Sequence, residues 1–228
     1  MPVKKMKTPS VLVIGGTSGL GLALALSFQK EGGNVFIAGR HNPKRQGLTY
    51  IKINIDSNSE KISTGLDSII KATQPIGTLI YAAGFFEEGP IVKLSDRHIK
   101  TMLNIGLLIP AMLISKILRK QKKIKNLILI TSTSQWIPRP KEPVYAATKA
   151  ALAMLGNSIS LDGSVDKTLI IGPGAMKTTF WKKGRREGNL LDPRWIAKTT
   201  SDLHKKDFSY KLVRILRNPT RIQIIKKR

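Results

Sequence analysis

Two residues whose chemistry could be catalytic, Tyr145 and Lys149, stand four positions apart in the alanine-rich stretch 144–152. The stretch predicts the start of a helix, and Pro143 comes just before it, where a proline suits the first helical turn. Residues four apart share a helix face, so the phenol and the ammonium can point into one site. A nearby ammonium favours the phenolate and brings a phenol closer to the range in which it transfers protons at neutral pH. For this pair alone, a solvated lysine beside a half-buried tyrosine is the alternative.

A glycine-rich turn near the N-terminus has the composition of a phosphate site. Gly15, Gly19 and Gly21 follow an apolar, β-branched run at 10–14, and residues 22–30 then favour a helix. A strand, a glycine turn and a helix N-terminus together present backbone N–H groups and the positive end of the helix dipole to an anion. The spacing is G-x-x-x-G-x-G, which differs from the G-x-G-x-x-G of most dinucleotide folds. This stretch predicts a site for the phosphates of a dinucleotide.

The end of the next predicted strand, 34–39, indicates which dinucleotide the chain prefers. Dinucleotide folds commonly place an acidic residue here, where it holds the adenosine 2′-hydroxyl. In this chain the strand is followed by Arg40 and His41, with Lys44 and Arg45 close behind and no carboxylate among them. A positive side chain suits a 2′-phosphate, so the sequence favours NADP over NAD. The alternative is that Arg40 is a solvated loop charge.

Strands and helices alternate along the chain. Apolar, β-branched runs predict the strands, and the segments between them favour helices. The strands are expected at 10–14, 34–39, 50–55, 78–82, 127–131 and 168–171, and the helices at 22–30, 62–72, 94–120, 145–161 and 193–203. Gly106 and Pro110 could interrupt the long helix at 94–120. This alternation predicts an α/β fold, a doubly wound, Rossmann-like parallel sheet in a single domain, 1–228.

The C-terminal third is less regular. Residues 175–192 are basic with little periodicity, as expected of a mobile substrate loop over a site. A basic C-terminal tail is expected from Arg194 to Arg228. Within it, 210–216 could be helix or strand, and 221–225 is expected to form a final strand.

Composition limits the class of protein. The chain has 228 residues, 41% hydrophobic and 23% charged, which fits one globular domain and not a disordered chain. Cysteine is absent, which excludes disulfides and thiolate chemistry and suits a cytoplasmic location. No apolar run reaches ~18 residues, so no membrane span is expected. The apolar stretch 11–14 runs straight into glycines, which argues against a signal peptide.

The formal net charge of +25 is the least ordinary bulk property. Such a charge attracts nucleic acid, anionic lipid or acidic partners over long range. The alternative is a lysine-rich host proteome, with the charge spread over solvated faces.

With these residues placed, the chain resembles the short-chain dehydrogenase/reductase family over roughly residues 10–178. The family's T-G-x-x-x-G-x-G motif is matched at the three glycines of the turn, with Ile14 in place of the threonine. Further motifs agree in order and spacing: the helix asparagine is Asn104, the serine is Ser132, thirteen residues before Tyr145 of Y-x-x-x-K, and P-G-x-x-x-T is Pro173, Gly174 and Thr178.

The sequence departs from the family at its N-N-A-G motif, which here is Tyr81, Ala82, Ala83 and Gly84. Loss of the two polar side chains predicts altered packing on the adenosine side of the cofactor. The chain also lacks the glycine-rich finish after the last strand that is common in the family. This second departure affects the expected oligomer contacts and the closure of the substrate pocket.

The resemblance implies a role for each member of the catalytic set. Tyr145 would give a proton to the carbonyl oxygen in reduction and take it back in oxidation. Ser132 would hydrogen-bond that oxygen, Lys149 would bind the nicotinamide ribose, and Asn104 would hold a water in the proton path. Two alternatives stay open: Asn104 could be a helix-kink residue, and a neighbour of Ser132 in the run 131–134 could be the true partner.

The resemblance also implies which residues contact the cofactor. Asp56 matches an acidic residue near the adenine, although it could simply start the next turn, and Thr178 lies where the family contacts the carboxamide end. The full expected set is Gly15, Thr17, Ser18, Gly19, Leu20, Gly21, Arg40, Asp56, Ala83, Gly84, Tyr145, Lys149, Pro173, Gly174 and Thr178. Trp136, Phe180 and Trp181 could line the substrate pocket or could only pack, while His98 is expected at the surface.

Two functions follow from these patterns. The first is an NADP(H)-dependent oxidoreductase acting on a small carbonyl or secondary alcohol; the basic charge favours an anionic substrate, including one bound to an acidic carrier protein. The second is a non-enzymatic NADP-sensing or nucleic-acid-associated binding protein on the same fold. The catalytic set favours the enzyme, because a pure binder does not need Tyr145 and Lys149. The resemblance further implies a homodimer or homotetramer, paired through helices at about 104–120 and 145–161.

Overall fold

The computed structural model describes residues 9–53, 59–180 and 188–228. The strands in these ranges are β1 (Ser10–Ile14), β2 (Val35–Gly39), β3 (Leu48–Lys52), β4 (Ile76–Tyr81), β5 (Ile124–Ile130), β6 (Val165–Pro173), β7 (Tyr210–Arg217) and β8 (Thr220–Lys227). They form one sheet in the order β3-β2-β1-β4-β5-β6-β7-β8. Neighbours from β3 to β7 are parallel, and β8 runs antiparallel to β7. The predicted doubly wound α/β fold is confirmed, with an antiparallel strand added at one edge.

Helices cover both faces of this sheet. They are α1 (Gly19–Lys30), α2 (Ser59–Thr73), α3 (Asp96–Leu103), α4 (Ile109–Gln121), α5 (Pro143–Ile159) and α6 (Pro193–Lys205). A π-helical turn, Asn104–Leu108, joins α3 to α4, and a 3₁₀ turn, Thr133–Gln135, follows β5. The helical region expected over 94–120 is found as α3, the π-helical turn and α4, and the π-helical turn contains Gly106, one of the two positions where an interruption is expected.

The apolar strands form the middle layer of a three-layer core. β1 is buried at every position, as expected of a parallel strand covered on both faces. On one face, residues of α2, α4 and α5 such as Leu66, Leu113 and Leu152 pack on the sheet. On the other face, α1 and α6 contribute Leu24 and Ile196. This packing holds the carboxyl ends of the parallel strands together at one edge of the layer.

The C-terminal basic segment contains the helix expected at 193–203 and the final strand expected at 221–225. Residues 194–228 lie within or between α6, β7 and β8, and 210–216 is strand. The alternation in β7 accounts for a strand here, because Val213 and Ile215 are buried on the sheet while Arg214, between them, is only partly covered. A long charged side chain thus occupies a position between core residues, and a basic composition is compatible with a strand.

The expected loop at 175–192 is closed at its base. Met176 and Leu191 form an isolated parallel bridge, with Lys177 N–H donating to the Leu191 carbonyl at 2.9 Å. Residues 181–187, including Trp181, lie outside the described residues. The prediction of a mobile substrate loop stays a prediction.

One helical region, Asp96–Gln121, is long and apolar enough to cross a membrane by length and composition alone. Its apolar residues have another explanation in this fold. Met102, Ile109, Leu113 and Ile117 are buried in the protein core. The apolar face of this region is therefore used in packing on the sheet.

Candidate active site

A cavity of about 490 Å³ opens at the carboxyl ends of the parallel strands. It spans the point between β1 and β4 where the strand order reverses, which is where open α/β sheets bind ligands. Of the expected site residues, those that line it are Gly15, Thr17, Ser18, Gly19, Leu20, Gly21, Arg40, Ala83, Gly84, Ser132, Tyr145, Lys149, Pro173, Gly174 and Thr178. Asn104 is not among the lining residues, and Asp56 lies outside the described residues.

The glycine turn owes its shape to close approaches that only glycine allows. Gly15 has a φ of +77°, and a Cβ there would lie 2.6 Å from the Ala83 backbone nitrogen. A Cβ on Gly21 would collide with the Gly15 carbonyl oxygen, and one on Gly19 would lie 3.3 Å from the Thr178 methyl. The turn therefore leaves an open cradle between the start of α1 and Thr178, of the kind that a pyrophosphate fills at a helix N-terminus.

The other end of the cradle lies at β2. A Cβ on Gly39 would collide with the Thr17 side chain, which places the end of β2 directly against the glycine turn. Arg40 follows at once; it is exposed and lines the cavity. An exposed guanidinium at this position suits the phosphate of an adenosine 2′-phosphate. The residues present thus fit an NAD(P) dinucleotide.

Helix α5 brings Tyr145 and Lys149 to the middle of the cavity. Pro143 is its first residue, so the helix begins two positions before Tyr145. Tyr145 is 7% exposed and Lys149 is 4% exposed, and the Lys149 Nζ lies 5.6 Å from the Tyr145 ring centroid. The ammonium donates to the Ile130 carbonyl oxygen at 3.2 Å. Both side chains therefore point inward, at the end of β5.

Burial is the cause of the unusual acidity of Lys149. Taking the ammonium out of water disfavours the charged form and lowers the pKa of Lys149 to about 8. A carbonyl oxygen only partly replaces the lost hydration. A cofactor hydroxyl beside the amine would add a further polar partner.

Aromatic side chains enclose Tyr145. The Phe86 ring meets the Tyr145 ring edge-on at 5.0 Å, and the Phe180 ring lies 6.3 Å from it. Phe180 also stands over Gly84, where a Cβ would lie 3.2 Å from the ring. Trp136, in contrast, is not among the cavity-lining residues and lies 5.5 Å from the Arg214 guanidinium. Of the aromatic candidates, the structure places Phe180 in the site, adds Phe86 next to Tyr145, and leaves Trp136 in packing.

Ser132 lies at the start of the connection from β5 to α5. Its Oγ accepts the backbone N–H of Ser134 at 3.1 Å and donates to the Ser134 Oγ at 3.1 Å. Ser134 in turn contacts Glu142 and Arg139, neither of which the sequence singles out. Sequence spacing could find Ser132 but not these partners, since the proline-rich connection has no periodicity that shows which side chains meet.

Asn104 begins the π-helical turn between α3 and α4. The neighbouring carbonyl, that of Ile105, accepts the Tyr81 hydroxyl at 2.5 Å. Tyr81 is fully buried, and burial raises its pKa, so this phenol stays protonated and acts as a donor. The tyrosine that replaces an asparagine of the family motif thus ties β4 to the Asn104 turn. The altered packing on the adenosine side of the cofactor stays a prediction.

The fold and site together define the class of dinucleotide-binding α/β proteins with a serine, a tyrosine and a lysine in one cavity. The family model for short chain dehydrogenases matches residues 9–189. The chain therefore belongs to the short-chain dehydrogenase/reductase family.

The chain is also similar to curated relatives in sequence and to solved structures in fold. The chain is similar to a 2-dehydro-3-deoxy-D-gluconate 5-dehydrogenase of Formosa agariphila, with 23% identity over 85% of this chain and 79% of the relative. It is similar to the 3-oxoacyl-[acyl-carrier-protein] reductase MabA of Mycobacterium avium, with 24% identity over 74% of this chain and 68% of the relative.

Among solved structures, it resembles an alcohol dehydrogenase of Thermococcus sibiricus complexed with 5-hydroxy-NADP, with a TM-score of 0.80, 17% identity, and coverage of 94% of this chain and 99% of that one. A 4-hydroxyisoleucine dehydrogenase complexed with NADH has a TM-score of 0.76 and 22% identity, with coverage of 91% and 96%. At these identities the structures support the fold alone.

Proposed function

We propose that the chain is an oxidoreductase that interconverts a carbonyl compound and a secondary alcohol, with Tyr145 as the general acid and base. The observation that carries the proposal is the placement of Ser132, Tyr145 and Lys149 in one cavity that is continuous with the glycine cradle. A protein that only binds a dinucleotide needs the cradle but has no use for a buried tyrosine and lysine beside it.

The chain's own residues would handle the oxygen and its proton. A bound nicotinamide supplies or accepts the hydride at the carbonyl carbon. In reduction, Tyr145 gives its phenolic proton to the substrate oxygen, and Ser132 hydrogen-bonds the same oxygen as negative charge develops on it. Lys149 steadies the phenolate that Tyr145 becomes and holds the nicotinamide ribose. Asn104, at the π turn, would hold a water through which the proton is replaced.

A test of this mechanism is Tyr145→Phe, which removes the proton donor and keeps the ring. We expect kcat to fall by about 10²- to 10⁴-fold, because a positioned acid or base contributes that much. NADPH affinity, measured by fluorescence titration, should change little. Unchanged turnover of an identified substrate would refute the mechanism, whereas dinucleotide binding with no turnover of any carbonyl or alcohol by the unaltered chain would favour the NADP-sensing alternative.

We propose NADP(H) as the preferred cofactor. Arg40 at the end of β2 supports this choice, because its cation suits the 2′-phosphate that distinguishes NADP from NAD. Arg40→Ala should weaken NADPH binding by about 10- to 100-fold, the range of a hydrogen bond to a charged group, and leave NADH binding unchanged. Arg45→Ala removes an equal, exposed charge nearby and is the matched control. Equal losses in both variants would contradict a specific role for Arg40. Asp56 stays a prediction for the adenine contact.

An anionic substrate is the second part of the proposal. Arg139 and Arg217 both line the cavity with Ser132 and Tyr145. The family acts on small molecules, and the similar MabA proteins are reductases of 3-oxoacyl groups on acyl-carrier-protein. The two guanidinium groups, of which that of Arg139 is also paired with Glu142, support a substrate that carries a carboxylate or phosphate, either free or on an acidic carrier.

Assembly and location are two further proposals. A homodimer or homotetramer paired through α4 and α5 is supported by apolar side chains that these helices and the turn before them leave exposed, among them Leu108 and Met154. Sedimentation of the purified chain separates these states from a monomer. A cytoplasmic location is proposed from the absence of cysteine.

A further inference from the structure

A chain of polar side chains runs from Ser132 to the start of α5. The Ser134 hydroxyl donates to the Glu142 Oε2 at 2.7 Å and accepts an Arg139 Nη1 hydrogen at 2.7 Å. Arg139 Nη1 also lies 3.1 Å from the Glu142 Oε2. Ser132 Oγ joins this group through its bond to the Ser134 Oγ. These contacts connect Ser132 to a residue three positions before Tyr145.

The chemistry of the four groups sets the direction of the hydrogen bonds. A guanidinium can only donate, and an ionised carboxylate can only accept. The single proton of the Ser134 hydroxyl is therefore committed to Glu142, and its oxygen is left to accept from Arg139 and Ser132. The Ser132 hydroxyl consequently points its proton into the chain when no substrate oxygen competes for it.

The hydrogen bond that the Ser132 hydroxyl donates to Ser134 is weak. The bond from Ser132 to the Ser134 Oγ is 3.1 Å long, whereas O–H···O bonds cluster near ~2.7–2.8 Å. Its acceptor already receives a shorter bond from Arg139. The Ser132 oxygen, in contrast, is anchored by the Ser134 backbone N–H, which does not depend on the proton. A substrate oxygen can thus accept the hydrogen bond of the Ser132 hydroxyl in place of Ser134 while the Ser132 oxygen does not move.

Glu142 is the buried end of this arrangement. It is 4% exposed and immediately precedes α5, while Arg139 is 31% exposed and lines the cavity. A buried carboxylate is strongly destabilising unless it is paired and hydrogen-bonded. The hydrogen bond from Ser134 to Glu142 therefore fixes the distance between the start of the connection, which carries Ser132, and the helix that carries Tyr145.

We propose that Ser134, Arg139 and Glu142 are positioning residues that hold the Ser132 oxygen in register with Tyr145 and present its proton to the substrate oxygen. The proposal rests on the function proposed above for Ser132 and Tyr145. It adds an arginine–glutamate pair that acts on the reaction through Ser134, without contacting the reacting atoms.

The kinetic test uses Glu142→Met, which keeps the size of the side chain and removes both acceptors, and Ser134→Ala. Each should lower kcat by at least about tenfold with the cofactor KM within about twofold of its original value, because the change acts on the transition state. Glu142→Gln keeps one acceptor oxygen and should lose less than Glu142→Met. Lys141→Met, an exposed neighbour, is the control and should behave as the unaltered chain.

Combining these variants with Ser132→Ala distinguishes a positioning role from a merely structural one. In a Ser132→Ala background, Glu142→Met and Ser134→Ala should change kcat by less than about twofold, since the group they position is gone. Equal fold-losses in both backgrounds would overturn the proposal.

A second measurement does not depend on turnover. Crystal structures of Glu142→Met and Ser134→Ala should show the Ser132 side chain in a different or a split rotamer, while Lys141→Met keeps the original one. A single unchanged Ser132 rotamer in both variants would also overturn the proposal. If the unaltered chain reduces no carbonyl and oxidises no alcohol, the proposed function fails, and the Ser132 rotamers still decide whether the positioning chain exists.

Discussion

Lys149 shows how one residue can lower stability to serve a site. Its ammonium is buried beside Tyr145 and its one described hydrogen bond is to the Ile130 carbonyl. The folded state therefore lowers the pKa of Lys149 from 10.5 to about 8. A lysine shifted in this direction destabilises the fold while it is protonated. The whole cost is present at a pH below the pKa of Lys149 in the folded state. It decreases above that pKa and is gone once the pH exceeds the pKa of Lys149 in the unfolded state.

Lys149→Met should therefore change the pH dependence of stability. The variant lacks the cost of the buried ammonium, so its free energy of unfolding should gain relative to that of the unaltered chain at pH 7. By pH 9.5 this gain should be smaller by about 2 kcal/mol. Urea denaturation at the two pH values measures this difference. Lys141→Met removes an exposed ammonium, and its difference from the unaltered chain should be nearly equal at both pH values. A pH-independent difference for Lys149→Met would contradict the buried cation.

The contacts of a site residue can be predicted from the sequence when its partners are a few positions away in the same helix. Tyr145 and Lys149 could be brought together from sequence because helical spacing alone puts them on one face. Ser134, Arg139 and Glu142 could not, since their meeting depends on how an aperiodic, proline-rich connection folds back on itself. Tyr81 falls between these cases: its departure from the family motif is visible in the sequence, but its bond to the Ile105 carbonyl joins residues 24 positions apart.

At the scale of elements, two glycines that both lie in helices differ in the space around them. Gly65 lies inside α2, and a Cβ there would meet nothing within 4 Å. Gly21 lies in the first turn of α1, where a Cβ would collide with the Gly15 carbonyl oxygen. Helix propensity favours alanine over glycine equally at both places, so packing decides the outcome.

Gly65→Ala should raise the free energy of unfolding by about 0.5–1 kcal/mol, the gain in helix propensity. Gly21→Ala should lower it and weaken NADPH binding by at least about tenfold, because the turn must move before the methyl group fits. Urea denaturation and a fluorescence titration measure the two effects. Normal NADPH affinity in Gly21→Ala would contradict the assignment of the turn to the cofactor phosphates.

Elements were predictable wherever periodicity was strong. The strand at 10–14 is predicted by an apolar run, and the helix after it by the glycine turn that ends this run. The structure has both elements. The pairing of β8 with β7 could not be read in the same way. The final strand expected at 221–225 lies within β8, but most of β8 is exposed, so no buried face indicates which neighbour it pairs with. It joins the sheet through backbone hydrogen bonds at an edge, which any sequence can supply.

At the scale of the whole molecule, charge is far from balanced. The chain has 39 lysines and arginines against 14 acidic residues. Most of the ion pairs among the described residues join exposed side chains, as in Lys198–Asp202 and Arg194–Asp192, and such pairs contribute at most about 1 kcal/mol each. Pairing of every acidic residue would still leave a surplus of 25 positive charges. Their mutual repulsion opposes the compact state.

This imbalance predicts that salt stabilises the fold. Raising NaCl from 20 to 200 mM shortens the screening length and weakens the repulsion among the surplus cations. The same change weakens the exposed ion pairs, but the surplus is the larger effect, so Tm should rise by about 2–4 °C, equivalent to about 1 kcal/mol for a chain of this size. Arg40→Ala is the control for anion binding in the cofactor cradle, and it should show the same rise. A Tm that falls with NaCl would mean that the exposed ion pairs outweigh the repulsion, and a rise that disappears in Arg40→Ala would place the effect in one anion site.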